Sequence, residues 1–90
     1  LRLDKFLKVS RLIKRRTLAK EACEAGAVQV NRRPAKASTE VKPGDIITLT
    51  LGSRWLIVEV LATPEHVPAE KARELYRIVE EGRTTSNFQA

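Results

Sequence analysis

An α+β fold is predicted for this chain: two short N-terminal helices packed on a small, mostly antiparallel sheet, with a further helix near the C-terminus. Two observations carry that expectation. Apolar residues recur at helical spacing over residues 3–25 and again over 69–82, whereas residues 27–31 and 46–61 are rich in β-branched residues and are separated by turn signals. Ninety residues also suit a single domain that buries about 60–65% of its unfolded surface. The core must then be small and aliphatic, because methionine is absent and Trp, Tyr and Phe together number four. A large substrate cavity is not expected.

Each element follows from its residues. In "LRLDKFLKVS", Leu3, Phe6 and Leu7 share one helical face, Asp4 is placed to cap or charge the first turn, and Arg2, Lys5, Lys8 and Arg11 recur every three residues. Thr17 is placed to cap a second helix with an inner stripe of Leu18, Ala19, Ala22 and Ala25, stopped by Gly26. The small residues of that stripe allow close helix packing. "AVQVN" (27–31) alternates like a strand, "NRRP" (31–34) reads as a tight turn, and "VKPGD" (41–45) as another. "IITLTLG" and "SRWLIVEVL" form a hairpin joined near Gly52 and Ser53. After the linker "ATPEHVP", "AEKARELYRIVEEG" sets Ala72, Leu75, Tyr76 and Val79 at helical spacing with Gly82 as its stop. Residues 83–90 are polar and expected to form a flexible tail.

Charge is unevenly distributed. Residues 1–36 hold eleven basic and three acidic side chains, a formal +8, while the remainder holds six and eight, or −2. Such asymmetry points to an anionic partner on one side of the molecule. The single cysteine, Cys23, excludes an intrachain disulfide and a cysteine-based metal cluster, and it fits a small residue at the helix interface of a cytoplasmic protein. No apolar run approaches the roughly 18–20 residues that span a bilayer. A membrane-surface helix is disfavoured because the core needs the same apolar residues.

The segment "SRLIKRRTLAKEACEAG" concentrates the argument. Lys14, Arg15 and Arg16 precede the second helix, where the macrodipole disfavours positive charge by roughly 0.3–1 kcal/mol each. The same helix end presents unpaired N–H groups that favour phosphate. An anion therefore offsets a local cost that a merely solvated face would not carry. RNA is favoured over DNA, since a major-groove reading helix would turn Glu21 and Glu24 toward phosphates beside Lys20. The candidate RNA-binding residues are Arg2, Lys5, Lys8, Arg11, Lys14, Arg15, Arg16, Lys20, Arg32 and Arg33, and helix one, helix two and the "NRRP" turn are expected to converge on one basic face.

"RLDKFL", "SRLIKRRTLAKEACEAGAVQVN" and "VKPGDII", in that order over residues 2 to about 51, resemble the S-four-type RNA-binding domain, or alpha-L motif. The resemblance implies the alpha-L fold, with the helix pair gripping structured RNA. It implies an RNA-binding domain over 1–62, with a linker and helix over 63–82 packed on it. "RLDKFLKVSRLIKRRTLAKE" is similar to the small factors of bacterial ribosome-associated quality control. That likeness implies a cytoplasmic, ribosome-associated protein, monomeric off the ribosome, that binds obstructed large subunits through rRNA and P-site peptidyl-tRNA. It further implies support of RqcH in extending stalled chains with C-terminal alanine. Arg2 and Arg16 match positions the family is expected to place on RNA, and Lys14 and Arg15 join them on physical grounds. Leu1 stands where an initiator Met is expected, "NRRP" replaces the more usual Asn-Gly turn, and the C-terminal third departs from the family pattern.

Two other readings are available. A fifteen-kilodalton heat-shock relative also binds large subunits holding peptidyl-tRNA, but it carries a basic C-terminal extension, whereas residues 37–90 of this chain are mildly acidic. "RLD" also surrounds the catalytic aspartate of pseudouridine synthases, yet Asp4 lies at the N-terminal end with no catalytic sheet around it, so helix capping is its expected role. No enzymatic activity and no cofactor are expected, because no nucleophile–base pair, metal cluster or Gly-rich phosphate loop is present. His66 is expected to be exposed in its linker, Trp55 to cover a sheet edge, and Tyr76 to belong to the core.

Overall fold

The computed structural model describes residues 1–84. Its first helix, α1 (Leu3–Val9), buries Leu3, Phe6 and Leu7 completely, as their spacing predicts. Asp4 does not cap it. The first amides, Leu3 N and Asp4 N, donate to the carbonyls of Thr39 (2.7 Å) and Ala37 (3.1 Å), so backbone from the 37–41 segment satisfies the helix end. Ser10 closes α1, and Arg11 follows in the left-handed region at φ 65°. The Ser10 hydroxyl, buried here, donates to Leu7 O and accepts from Leu12 N, which turns the chain so that Ile13 re-enters the core.

The second helix, α2 (Arg16–Glu24), begins one residue before Thr17 and takes Arg15 at its N-cap with no side-chain hydrogen bond. Its inward stripe is Ala19 and Cys23, an i,i+4 pair, flanked by half-buried Ala22. Leu18 is 46% exposed and Ala25 is also exposed, which corrects their assignment to the core. The physical reason is rotation: with Ala19 facing α1, Leu18 lies about 100° away around the helix. Small Ala and Cys at the contact allow the close approach of α1. Gly26 follows at φ 79°, the left-handed position after the C-cap.

Five strands form one antiparallel sheet in the order β2-β1-β3-β4-β5: β1 (Val28–Val30), β2 (Arg33–Pro34), β3 (Ile46–Leu51), β4 (Arg54–Val60) and β5 (Tyr76–Arg83). Register places Val28 opposite Leu49, Val30 opposite Ile47, Ile47 opposite Val58 and Leu49 opposite Leu56. These side chains form one apolar layer under the helices, joined by Val60 and Val41. Asn31 (φ 53°) and Arg32 (φ 70°) connect β1 to β2 with both loop residues at positive φ, the pattern of a type I′ hairpin. Asp45 is buried and accepts from Asn31 Nδ2 (3.2 Å) and Lys42 N (3.0 Å), while Asn31 Oδ1 accepts from Ile46 N (3.0 Å). The turn and the start of β3 are thereby locked together.

The C-terminal element differs from expectation. Ala69–Leu75 is a 3-10 helix, with Ala72 and Leu75 buried, but Tyr76–Arg83 is an edge strand on β4 rather than a continuation of that helix. Tyr76 opens the strand half-buried opposite Val60, packed against the core rather than lying within a helical stripe. Gly82 is not a helix stop. It faces Trp55, where an added Cβ would sit 2.5 Å from the indole, so it seats the ring across the β4–β5 pair. Trp55 thus covers the outer face of the sheet near its edge. Of the expected tail 83–90, Arg83 belongs to β5 and Thr84 N donates to Ser53 O; residues 85–90 lie outside the described residues. No helix among the described residues is long and apolar enough to cross a membrane.

Candidate nucleic-acid interface

Asp4 is the organising residue. Only 3% exposed, it accepts from Arg2 through two contacts, Nε to Oδ1 and Nη2 to Oδ2, both 3.2 Å, and from Arg16 Nη2 at 3.4 Å. Lys5 N adds a 2.7 Å hydrogen bond. Burial pushes the Asp4 carboxyl up, but the hydrogen bonds from Arg2 and Arg16, the charge of Arg16 and the Lys5 amide outweigh it. The group is held below its ordinary 3.8. One carboxylate therefore fixes two arginines from separate elements, one preceding α1 and the other opening α2. Both guanidiniums remain about half exposed, with N–H groups free to meet an external anion.

A shallow cleft of about 310 Å³ is lined by Arg2, Asp4, Arg16, Thr17 and Lys20. Beside it, Arg2 and Lys20 also line a larger groove of about 580 Å³, whose opposite wall is Pro34, Ala35 and Lys36. The two recesses share Arg2 and Lys20 and together make a furrow along α2, cationic at the Arg2–Arg16 end and mostly apolar, with Glu24, in the larger part. At its helix end, the first turn of α2 contains no acid and no side-chain cap, while Lys14 and Arg15 are exposed and make no ion pair among the described residues. An uncapped helix end with positive partial charge thus lies next in sequence to two exposed cations.

The other expected site residues divide. Lys5 pairs with Glu65 of the linker, whose carboxyl the Lys5 ammonium holds below its usual range. Lys8 and Arg11 line a small recess with Glu65, His66 and Val67. The outer row of α1 therefore turns toward the linker, away from the Arg2–Arg16 pair. Arg32 and Arg33 stand exposed on the β1–β2 hairpin at the sheet edge, outside the Asp4 cluster, although the adjoining Pro34, Ala35 and Lys36 reach the furrow. The structure brings together Arg2, Arg16 and Lys20, and leaves Lys14 and Arg15 exposed beside them in sequence at the start of α2.

Sequence reasoning missed two participants. Lys36 carries no motif and enters the furrow only because the loop after β2 folds over α2. The anchoring role of Asp4 had one available signal, an acid within a strongly basic half, which capping equally explained. His66 is exposed as expected, and burial pushes the Cys23 thiol up, consistent with an inert interior residue. No cluster of His, Cys, Asp or Glu suited to a metal ion exists among the described residues.

The chain has well-matched relatives among known proteins. Residues 1–47, which include α1, α2, the furrow and the first hairpin, match the S4 domain family. The chain is 53% identical over 81 residues to the RQC P-site tRNA stabilizing factor of Halalkalibacterium halodurans, spanning 90% of this chain and 92% of that one. It is 49% identical over 81 residues to the factor of the same name from Bacillus subtilis, with 90% and 94% covered. Among solved structures, the trimeric structure of Vibrio cholerae heat shock protein 15 superimposes with a TM-score of 0.82 at 35% identity, covering 88% of this chain and 81% of that one. The chain belongs to the S4-domain family of RQC P-site tRNA stabilizing factors.

Proposed function

We propose that the protein is a non-enzymatic, cytoplasmic RNA-binding factor of ribosome-associated quality control. It binds obstructed large ribosomal subunits by contacting rRNA and P-site peptidyl-tRNA, and supports RqcH-dependent alanine tailing of the stalled chain. The observation that carries this reading is the uncapped, acid-free N-terminus of α2, flanked by Lys14 and Arg15, which make no ion pair among the described residues, and set beside the Arg2–Asp4–Arg16 cluster. Helix amides and flexible cations donate to phosphate oxygens, while the two tethered guanidiniums offer N–H groups in fixed directions. The names of the relatives support P-site tRNA as one RNA and the ribosome as its setting.

Phosphate capture of this kind releases counterions. With four to six phosphates contacted, the log–log salt slope of RNA binding is expected at roughly −3 to −5. The direct test is co-sedimentation with obstructed large subunits. Lys14→Glu/Arg15→Glu is expected to abolish association and Arg16→Gln to weaken it, with circular dichroism unchanged. Undiminished association of the double variant would refute the site.

A further inference from the structure

On the helix side of the sheet, beyond the end of α1, lies a further recess of about 600 Å³ lined by Arg11, Leu12, Arg54, Arg73, Tyr76 and Ile78, with Glu81 and Leu56 completing it. Tyr76 and Ile78 pair with Val60 and Val58, so they share the face that carries the core, yet Ile78 is 45% exposed because neither helix reaches this far. Leu12, Tyr76 and Ile78 thus offer a partly uncovered apolar surface within a recess that is otherwise polar. Three guanidiniums rim it against one carboxylate, Glu81, which Arg54 Nη2 meets at 3.4 Å. Asp4 and the α2 furrow take no part in this recess.

Arg11 supplies an independent sign. Both helices end with the residue after the C-cap in the left-handed region. After α2 that residue is Gly26 at φ 79°, which adopts it freely; after α1 it is Arg11 at φ 65°. An arginine at a glycine position costs stability, and Arg11 is an exposed side chain that recovers nothing by burial. It also lines, on its other side, the recess that holds Lys8 and Glu65.

We infer that this groove is a second RNA site, which takes an unpaired nucleotide with its base on Tyr76, Leu12 and Ile78 and its phosphates on Arg11 and Arg73. The inference rests on RNA being the partner of the α2 face, and it adds a second, separate contact to that reading. Chemistry favours a nucleotide over an acidic peptide. A nucleotide joins one planar apolar surface to one anion, matching a floor with a cationic rim. The Glu81 carboxylate accepts from the exocyclic amine or ring N–H of a base but repels a carboxylate side chain. Two RNA faces on one small domain would allow it to bridge two RNA segments.

The test uses the full chain and a short fluorescein-labelled single-stranded oligoribonucleotide of mixed sequence, titrated by anisotropy. Arg11→Gly is expected to keep or raise the thermal midpoint, while weakening binding and reducing the salt slope by about one. Tyr76→Leu is expected to weaken binding roughly tenfold through lost stacking, with the melt recorded alongside. Lys14→Glu/Arg15→Glu in the same assay separates the two faces. Loss of oligonucleotide binding in that variant, with Arg11→Gly and Arg73→Ala unaffected, overturns the groove and leaves the α2 site standing. An acidic leucine-rich peptide that binds the groove and displaces the oligonucleotide also overturns it. Retained binding in the double variant, lost in Arg11→Gly, supports the groove whatever becomes of the α2 site.

Discussion

Asp4 shows how a single residue can serve fold and binding together. Its carboxylate draws Arg2 and Arg16 into one cluster, and since both arginines are half exposed their pairing is screened. Asp4→Asn is therefore expected to cost only about 1 kcal/mol in urea unfolding, toward the low end for a buried charged hydrogen bond. Its pH signature is more distinctive. The folded-state value is lowered, so this stabilisation is complete above the ordinary 3.8 and disappears as pH falls through the lower folded value. Parent and Asp4→Asn stabilities should therefore converge as the protein is acidified below 3.8, and a gap that stayed constant with pH would exclude the pairing. Arg32 makes the complementary case. At φ 70° in the second loop position of a type I′ turn, it stands where glycine is preferred, so Arg32→Gly should raise stability by up to about 1 kcal/mol in a thermal melt.

Secondary-structure elements divide into those whose pattern is local and those decided by pairing. Gly82→Ala belongs here: its methyl would meet the Trp55 ring, so displacement of the indole and a cost of about 1–3 kcal/mol are expected, with Trp fluorescence reporting the shift. Helix α1, the inner sheet positions and the Gly52 hairpin were legible because burial alternates with the period of each element. The C-terminal segment was not. "AEKAREL" has good helix formers and Tyr76 and Val79 continue the helical spacing, but "YRIV" is equally a strand former. Antiparallel pairing of Tyr76–Arg83 along nearly all of β4 decided the matter. Leu18 failed for a related reason: spacing gives the width of an apolar stripe but not which edge of it meets the partner helix. At the site, cationic helix-end residues were visible from position alone, whereas the Asp4 tether and the entry of Lys36 depend on contacts between distant segments.

At the scale of the molecule, the N-terminal excess of charge is divided between surfaces. The recesses along α2 gather Arg2, Arg16, Lys20 and Lys36, with Lys14 and Arg15 exposed just before the helix, while Lys5, Lys8 and Arg11 turn toward the linker and the β4–β5 groove. Sheet positions behind them carry mixed pairs such as Arg77–Glu59 at 2.7 Å, which present little net field. Strong orientation of the protein on RNA follows, because only the helix-bearing side is broadly cationic.

The Asp4 cluster also separates the kinetics of arrival from those of residence. Two arginines and one carboxylate amount to a single net positive charge, so the cluster attracts little from a distance. Long-range capture falls to Lys14, Arg15 and Lys20, which make no ion pair among the described residues. Once RNA is in contact, guanidiniums already held in place lose little side-chain entropy and resist departure. Neutralising Lys14 and Arg15 should therefore slow association with a steep salt dependence, whereas neutralising Arg2 or Arg16 should chiefly shorten the lifetime of the complex.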